Sequence, residues 1–218
     1  MSAEQNEQPK AAPHPRFNTA EARQKAEFIL SRAFGLVKNP KAEWEQIRDE
    51  ETTIPNIVLG YVAPLALIPP VCDLIGRYVF GTRIGAQVIR PHLDQALTSA
   101  ALTVAVSIAL IFFLGLLISA LAENFDGERN DLQGQKVAAY AMTPTFFSGF
   151  FSLWPGTWWV ALFALGYAVY LFYLGLPTLM KAPRERAVGY AATVSIGGLI
   201  ALIVLFALAG CLSGAGRV

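Results

Sequence analysis

Chemistry needs a base, a nucleophile or a set of metal ligands held close together, and this chain offers few candidates. Its two histidines, His14 and His92, lie far apart, the first in a polar tail and the second just after Pro91. They predict neither a metal site nor a catalytic pair. Cys72 and Cys211 sit near the ends of two apolar segments. Such a pair could close a disulfide on an oxidising face, but buried free thiols are the expected state. Asp73 and Arg77 are one helical turn apart, a spacing that predicts a local ion pair at a helix end. The richest polar group is Tyr140, Thr143, Pro144 and Tyr170. A proline removes a backbone hydrogen bond, and a break of this kind inside an apolar helix often accompanies a binding site. These four residues are therefore the candidates for a polar cavity. Nothing in this inventory assembles a reactive centre, so the expectation is a protein that is not an enzyme and needs no cofactor or metal.

The elements that carry these residues are set by one feature, a run from Val137 to Met180 without Asp, Glu, Lys or Arg. A helix needs roughly 20 apolar residues to cross a bilayer, and two such helices with a turn at Trp154-Pro155-Gly156 account for the run. Composition agrees: 54% of residues are hydrophobic and only 15% charged, against about 25% charged in soluble domains. A net charge of +1 gives no field for nucleic acid. The expected fold is therefore all-α, an integral membrane bundle of five transmembrane helices behind a short N-terminal amphipathic region. Its spans fall near 54–75, 96–121, 137–153, 158–180 and 189–212. Residues 1–17 read as a disordered polar tail, 18–53 as cytoplasmic or interfacial helices, and 213–218 as a short C-terminal tail. The first long apolar stretch begins only at Ile54, which argues against a secretory signal.

Orientation follows from Lys and Arg. With the N-terminus inside, thirteen fall on inner segments and four on outer ones, which predicts a cytoplasmic N-terminus and a periplasmic C-terminus. Asn18, with Glu21 three residues on, reads as a helix start. The helix behind it carries Phe28, Ile29, Ala33, Phe34 and Val37 on a broad apolar side, with Arg23, Lys25 and Arg32 elsewhere. That pattern suits a helix lying in the plane of an anionic leaflet, or one packed on the inner loops. Asn39-Pro40 starts a second helix, whose Trp44 and Ile47 are expected to face the membrane interface. Phe28, Phe34, Trp44, Trp154, Trp158 and Trp159 are thus the candidate interfacial anchors. Small residues such as Ala164, Ala168, Gly197 and Gly198 suit close helix contact, within one chain or between copies of a homo-oligomer.

Several strings carry a resemblance. Asn39-Pro40-Lys41-Ala42-Glu43-Trp44-Glu45-Gln46-Ile47 is similar to the segment before the first span in bacterial members of the Yip (Ypt-interacting protein) family. Tyr140-Ala141-Met142-Thr143-Pro144 resembles the family's third span. Tyr173-Leu174-Gly175-Leu176-Pro177-Thr178-Leu179-Met180, Lys181-Ala182-Pro183 and Ala187-Val188-Gly189-Tyr190 follow in the family's order. The resemblance implies a five-helix membrane domain with a cytosolic N-terminus. Eukaryotic relatives act in membrane traffic and bind small GTPases, but their Asp-Leu-Tyr-Gly-Pro motif is missing, and Asp73-Leu74-Ile75-Gly76 is only a chance likeness. The expected function is a membrane scaffold or protein and lipid interaction factor. Its partners would be the bilayer itself and a membrane or cytoplasmic protein reached through residues 18–53. The alternative is a small-solute transporter or channel component using the broken spans one and three. Charge-free spans two to five argue against ion coupling.

Overall fold

The computed structural model describes residues 19–84, 87–89, 92–154 and 156–215. The expected tail at 1–17 with His14, the cap Asn18, and Gly216 to Val218 lie outside the described residues. Helix α1 runs Thr19–Lys38. Helix α2 runs Pro40–Asp49, started by Asn39, whose side chain accepts the Ala42 N–H, and by Pro40, whose fixed φ suits the first turn. The first long apolar helix follows at Asn56–Phe80. It opens as a π-helix, Asn56–Val62, in which the Ala63 N–H reaches back to the Val58 carbonyl. It continues as α3 (Ala63–Ala66), with Pro64 in its first turn, and α4 (Ile68–Phe80). The prolines withhold backbone donors, which is why the helix is irregular. It stops at Gly81, whose φ of 69° is left-handed and cheap only for glycine. The span therefore extends past the expected end at 75, and Asp73 lies within it.

The connection to the next helix is a short hairpin, β1 (Thr82–Ile84) against β2 (Gln87–Ile89), antiparallel with Arg83 opposite Val88. Helix α5 (Leu93–Leu121) continues as a 3₁₀ turn, so that Leu93–Phe125 forms one unit of 33 residues. Helices α8 (Trp159–Met180) and α9 (Ala187–Ala215) complete the long elements. Among the described residues, four helices are long and apolar enough to cross a membrane: Asn56–Phe80, Leu93–Phe125, Trp159–Met180 and Arg184–Cys211.

The expected third span at 137–153 is not a single helix. It is broken into α6 (Asp131–Ala141), α7 (Thr143–Ser148) and a 3₁₀ segment, Gly149–Leu153. Met142 ends α6 and Pro144 starts α7, because the proline ring removes the donor that would continue the ladder. This broken segment nonetheless follows the first long helix along its length. Lys136 bonds the carbonyls that precede that helix, Thr143 meets Tyr61, Gly149 packs on Pro69, and Gly76 packs on Ser152.

One end of the bundle gathers three connections. The Glu128 N–H caps the last turn of α8 at the Met180 carbonyl (2.8 Å), and Lys181 pairs with Glu128 (2.7 Å). Arg186 reaches Asp126 (3.2 Å), and the Gln133 amide donates to the Arg48 carbonyl (3.2 Å). The core between the helices is built from Ile111, Leu114, Ile118, Val137, Leu171 and Leu176, all buried. Polar side chains lock helix to helix within it. The Gln135 amide donates to the Ile111 carbonyl (3.2 Å), Ser119 bonds Asp131 (2.5 Å), and the Tyr190 hydroxyl donates to the Ile118 carbonyl. Such bonds hold apolar helices together where hydrophobic contrast with lipid is small.

Candidate functional site

A cluster of buried charges lies where the N-terminal helices meet the bundle. Arg32 sits on the stripe of α1 that faces inward, flanked by buried Ile29 and Leu36. Its guanidinium donates to Glu43 of α2 (2.6 Å) and to Glu50 just after α2 (2.5 Å). It also lies 5.2 Å from the centre of the Phe28 ring and 5.4 Å from that of Tyr140. One arginine therefore ties α1, α2 and α6 together through two carboxylates and two aromatic faces. Gly35 makes this approach feasible, since a Cβ there would lie 2.0 Å from a Glu43 oxygen.

Lys136 of α6 completes the cluster from below. It is 1% exposed, and its ammonium donates to the carbonyls of Ile47 (2.7 Å), Arg48 (3.2 Å) and Glu50 (2.7 Å). Those carbonyls close α2, where the helix leaves acceptors without partners and carries partial negative charge. A lysine more than eighty residues away in sequence thus caps the helix with all three of its donors. Burial pushes the Lys136 ammonium below its ordinary value, while the Glu50 and Asp49 carboxylates pull it back up.

The candidate cavity residues divide. Tyr140 and Thr143 are both buried. The Thr143 hydroxyl bonds that of Tyr61 (2.8 Å), and the Tyr61 and Tyr140 rings meet edge to face at 4.7 Å. Beside them, Pro144 is partly buried in the first turn of α7. Around them, the edge of Phe28 meets Tyr61 and the Arg32 guanidinium lies over the Tyr140 ring. Tyr170 is not part of this group. It is exposed on α8 and lines a separate cleft of about 270 Å³ with Tyr173, Lys41 and Arg184.

The candidate anchors also divide. Phe34, Trp154, Trp158 and Trp159 are exposed, as anchors must be, and Phe28 is partly exposed with its edge on Tyr61. Trp44 and Ile47 are the correction: both are fully buried. The Trp44 ring lies on Gly175 of α8, where a Cβ would come within 2.8 Å of it, so the absence of a side chain at Gly175 makes the pocket. Arg32 is a second correction, buried instead of adding surface charge. Ile29 and Leu36 turn inward with it, while Leu30, Phe34 and Val37 face out. Cys72 is buried, Cys211 is exposed and both are free thiols. Asp73 and Arg77 form the expected local pair at 2.8 Å.

Sequence reasoning passed over Arg32, Glu43, Glu50, Lys136 and Tyr61. A signal existed for two of them. Arg32 interrupts an apolar stripe at helical spacing, and Lys136 stands directly against the charge-free run.

Long apolar helices, aromatic residues at one turn and a polar core capped by charged helices define a polytopic helical membrane protein. The Yip1 domain model matches residues 34–206, and the chain belongs to this family. Inner membrane protein YohC of Escherichia coli strain K12 is 30% identical over 191 residues, covering 86% of this chain and 98% of the relative. Its counterpart in Escherichia coli O6:H1 matches with the same figures. No solved structure matches. Two strings of the family pattern touch in space: Trp44 of the first lies on Gly175 of the second. Arg32 precedes the matched region, whereas its partners Glu43 and Glu50 and the capping Lys136 fall inside it.

Proposed function

We propose that this protein is a bacterial inner-membrane scaffold of the Yip type, acting through the helical arm α1–α2 on lipids and on a protein partner in the cytoplasmic leaflet. The single observation that carries the reading is the depth and polarity of α1. The Tyr167 hydroxyl donates to the Leu36 carbonyl at 2.9 Å, and Tyr167 lies thirteen residues before the end of α8. At 1.5 Å per residue that is about 20 Å along the helix axis. A helix held at that level, more than half of a roughly 30 Å hydrocarbon core from the end of α8, presents its exposed Leu30, Phe34 and Val37 to acyl chains. The charged cluster makes the arm rigid, which is what a platform for partners needs. The reading assigns the arm no catalytic step.

The reading includes five crossings with the N-terminus cytoplasmic and the C-terminus periplasmic. Its support is parity. The last turn of α8 and the start of α6 belong to the end of the bundle that holds α2. Trp159, 22 residues of helix away, belongs to the other end, which supports a broken segment 131–153 that crosses in between. The thirteen-to-four distribution of Lys and Arg favours α2 inside. The name of the relatives, an inner membrane protein, supports the choice of membrane.

A fluorescence experiment tests the arm. Phe34→Trp, introduced with the four native tryptophans replaced by Phe, is measured in vesicles with lipids brominated at graded depths. Strongest quenching by bromines deep on the acyl chains is the expected result. Emission typical of water, with no quenching at any depth, would overturn the reading.

A further inference from the structure

A cavity lies at the opposite end of the bundle from α2, and nothing above uses it. It holds about 420 Å³ between α4, α5 and the 3₁₀ segment 149–153, within the roughly 300–1,000 Å³ typical of small-ligand sites. Its polar walls are two stripes at helical spacing. Asp73 and Arg77 project from α4, and Gln95, Ser99 and Thr103 recur every four residues on α5. A polar stripe on a helix as apolar as α5 needs a partner, yet the stripes do not bond each other. Arg77 uses its Nε on Asp73 at 2.8 Å, and its two terminal amino groups have no partner among the described residues. Ser99 donates to the Ala96 carbonyl (2.9 Å) and Thr103 to the Ser99 carbonyl (2.8 Å). Both hydroxyls have given away their protons and keep only acceptor capacity. The cavity therefore presents a cation with two free N–H₂ groups beside a carboxylate and two acceptor oxygens.

Depth narrows the ligand. Leu93–Phe125 is 33 residues, about 50 Å, against a hydrocarbon core of roughly 30 Å. With the excess shared between the two ends, Ser99 and Thr103 stand near the headgroup boundary. Val71, Ile75 and Leu97 on the same two helices are exposed apolar surface for acyl chains. We infer that this cavity binds the zwitterionic phosphoethanolamine headgroup of a phospholipid. Its phosphate is held by Arg77, and its primary ammonium donates to Asp73, Ser99 and Thr103. The geometry favours a primary ammonium because the acceptors require N–H donors, which a quaternary choline lacks.

The test uses the full-length protein in detergent, with lipid retention read by native mass spectrometry and stability by thermal unfolding. Phosphatidylethanolamine is expected to be retained and to raise the unfolding temperature, while phosphatidylcholine and phosphatidylglycerol of the same chains do neither. Arg77→Gln and Thr103→Val should each lower retention about tenfold, the loss of one good charge-assisted contact. Unfolding in plain detergent should be unchanged. Should either variant fail to fold, Ser99→Ala with the same retention assay replaces it. Equal retention of the choline lipid would overturn the inference. So would an equal response to soluble phosphoethanolamine at the same concentration, which would assign the site to a free solute.

Discussion

Both ends of this bundle carry charged side chains, and they use them in opposite ways. At the end that holds α2, Arg32 divides its terminal groups between Glu43 and Glu50, and Lys136 spends all three donors on the carbonyls that close α2. At the far end, Asp73 and Arg77 bond only each other among the described residues, half exposed, beside a cavity whose hydroxyls keep acceptors to spare. The first arrangement, in which only Arg32 Nε lacks a partner among the described residues, joins helices that are distant in sequence. The second is local, sits on one helix and leaves bonding capacity unspent. Charges near a membrane are costly and tend to be retained for a purpose. The contrast separates two purposes: one set holds the fold, the other is available to a ligand.

Three substitutions bear on that contrast, beginning with the one expected to cost most. Arg32→Ala leaves two part-buried carboxylates without their buried cation, and breaking such a network costs about 3–5 kcal/mol. Thermal or denaturant unfolding in detergent should show this loss, and Arg32→Lys should recover only part of it, since an ammonium cannot span both carboxylates in one plane. If Arg32→Ala unfolds like the wild type, the cluster does not hold the arm. Lys136→Met comes next. It removes the cap from α2 and strands buried carbonyls, at about 2–4 kcal/mol. Limited proteolysis should then cut first within residues 38–53, and a uniform loss of protection across the bundle would contradict a capping role. Arg77→Gln should change stability by less than about 1 kcal/mol, because a half-exposed pair on one helix contributes little. A loss comparable to that of Arg32→Ala would erase the distinction between the two ends.

The Arg32 cluster also changes how the arm can be probed. Deleting residues 1–50 would remove Trp44 from Gly175 and leave Lys136 without its acceptors, so any phenotype would mix lost partners with lost packing. Substitution on the outer face, at Leu30, Phe34 or Val37, leaves those contacts in place.

Much of the architecture could be read from the chain because it depends on local pattern. Run length marked the long apolar helices, Asn39-Pro40 marked the start of α2, and Pro144 marked the break inside 137–153. Asp73 and Arg77 were legible as a pair for the same reason, since one turn of helix brings them together whatever surrounds it. The candidate cavity was legible only as a set of residue types. Tyr140, Thr143 and Pro144 share one stretch of chain, but the side chains that meet them, Tyr61 and Arg32, arrive from other helices. Tyr170 shares the residue type and lies elsewhere.

Trp44 shows the dividing line. In sequence it reads as an aromatic anchor on a short amphipathic helix, and amphipathic patterns say that one side must be covered without saying by what. The helix crossing decides: α2 lies against α8 at Gly175, and the ring is enclosed by protein. The same holds for Lys136 and the α2 carbonyls, whose contact depends on the packing of α6 beneath α2. Sequence alone determined the membrane habit, the long helices, their breaks and the family, because each rests on residues that are neighbours along the chain or repeat at helical spacing. Only the tertiary structure decided which charges are consumed and which are left facing a cavity. That outcome depends on which helices meet and at what depth, which no local pattern contains.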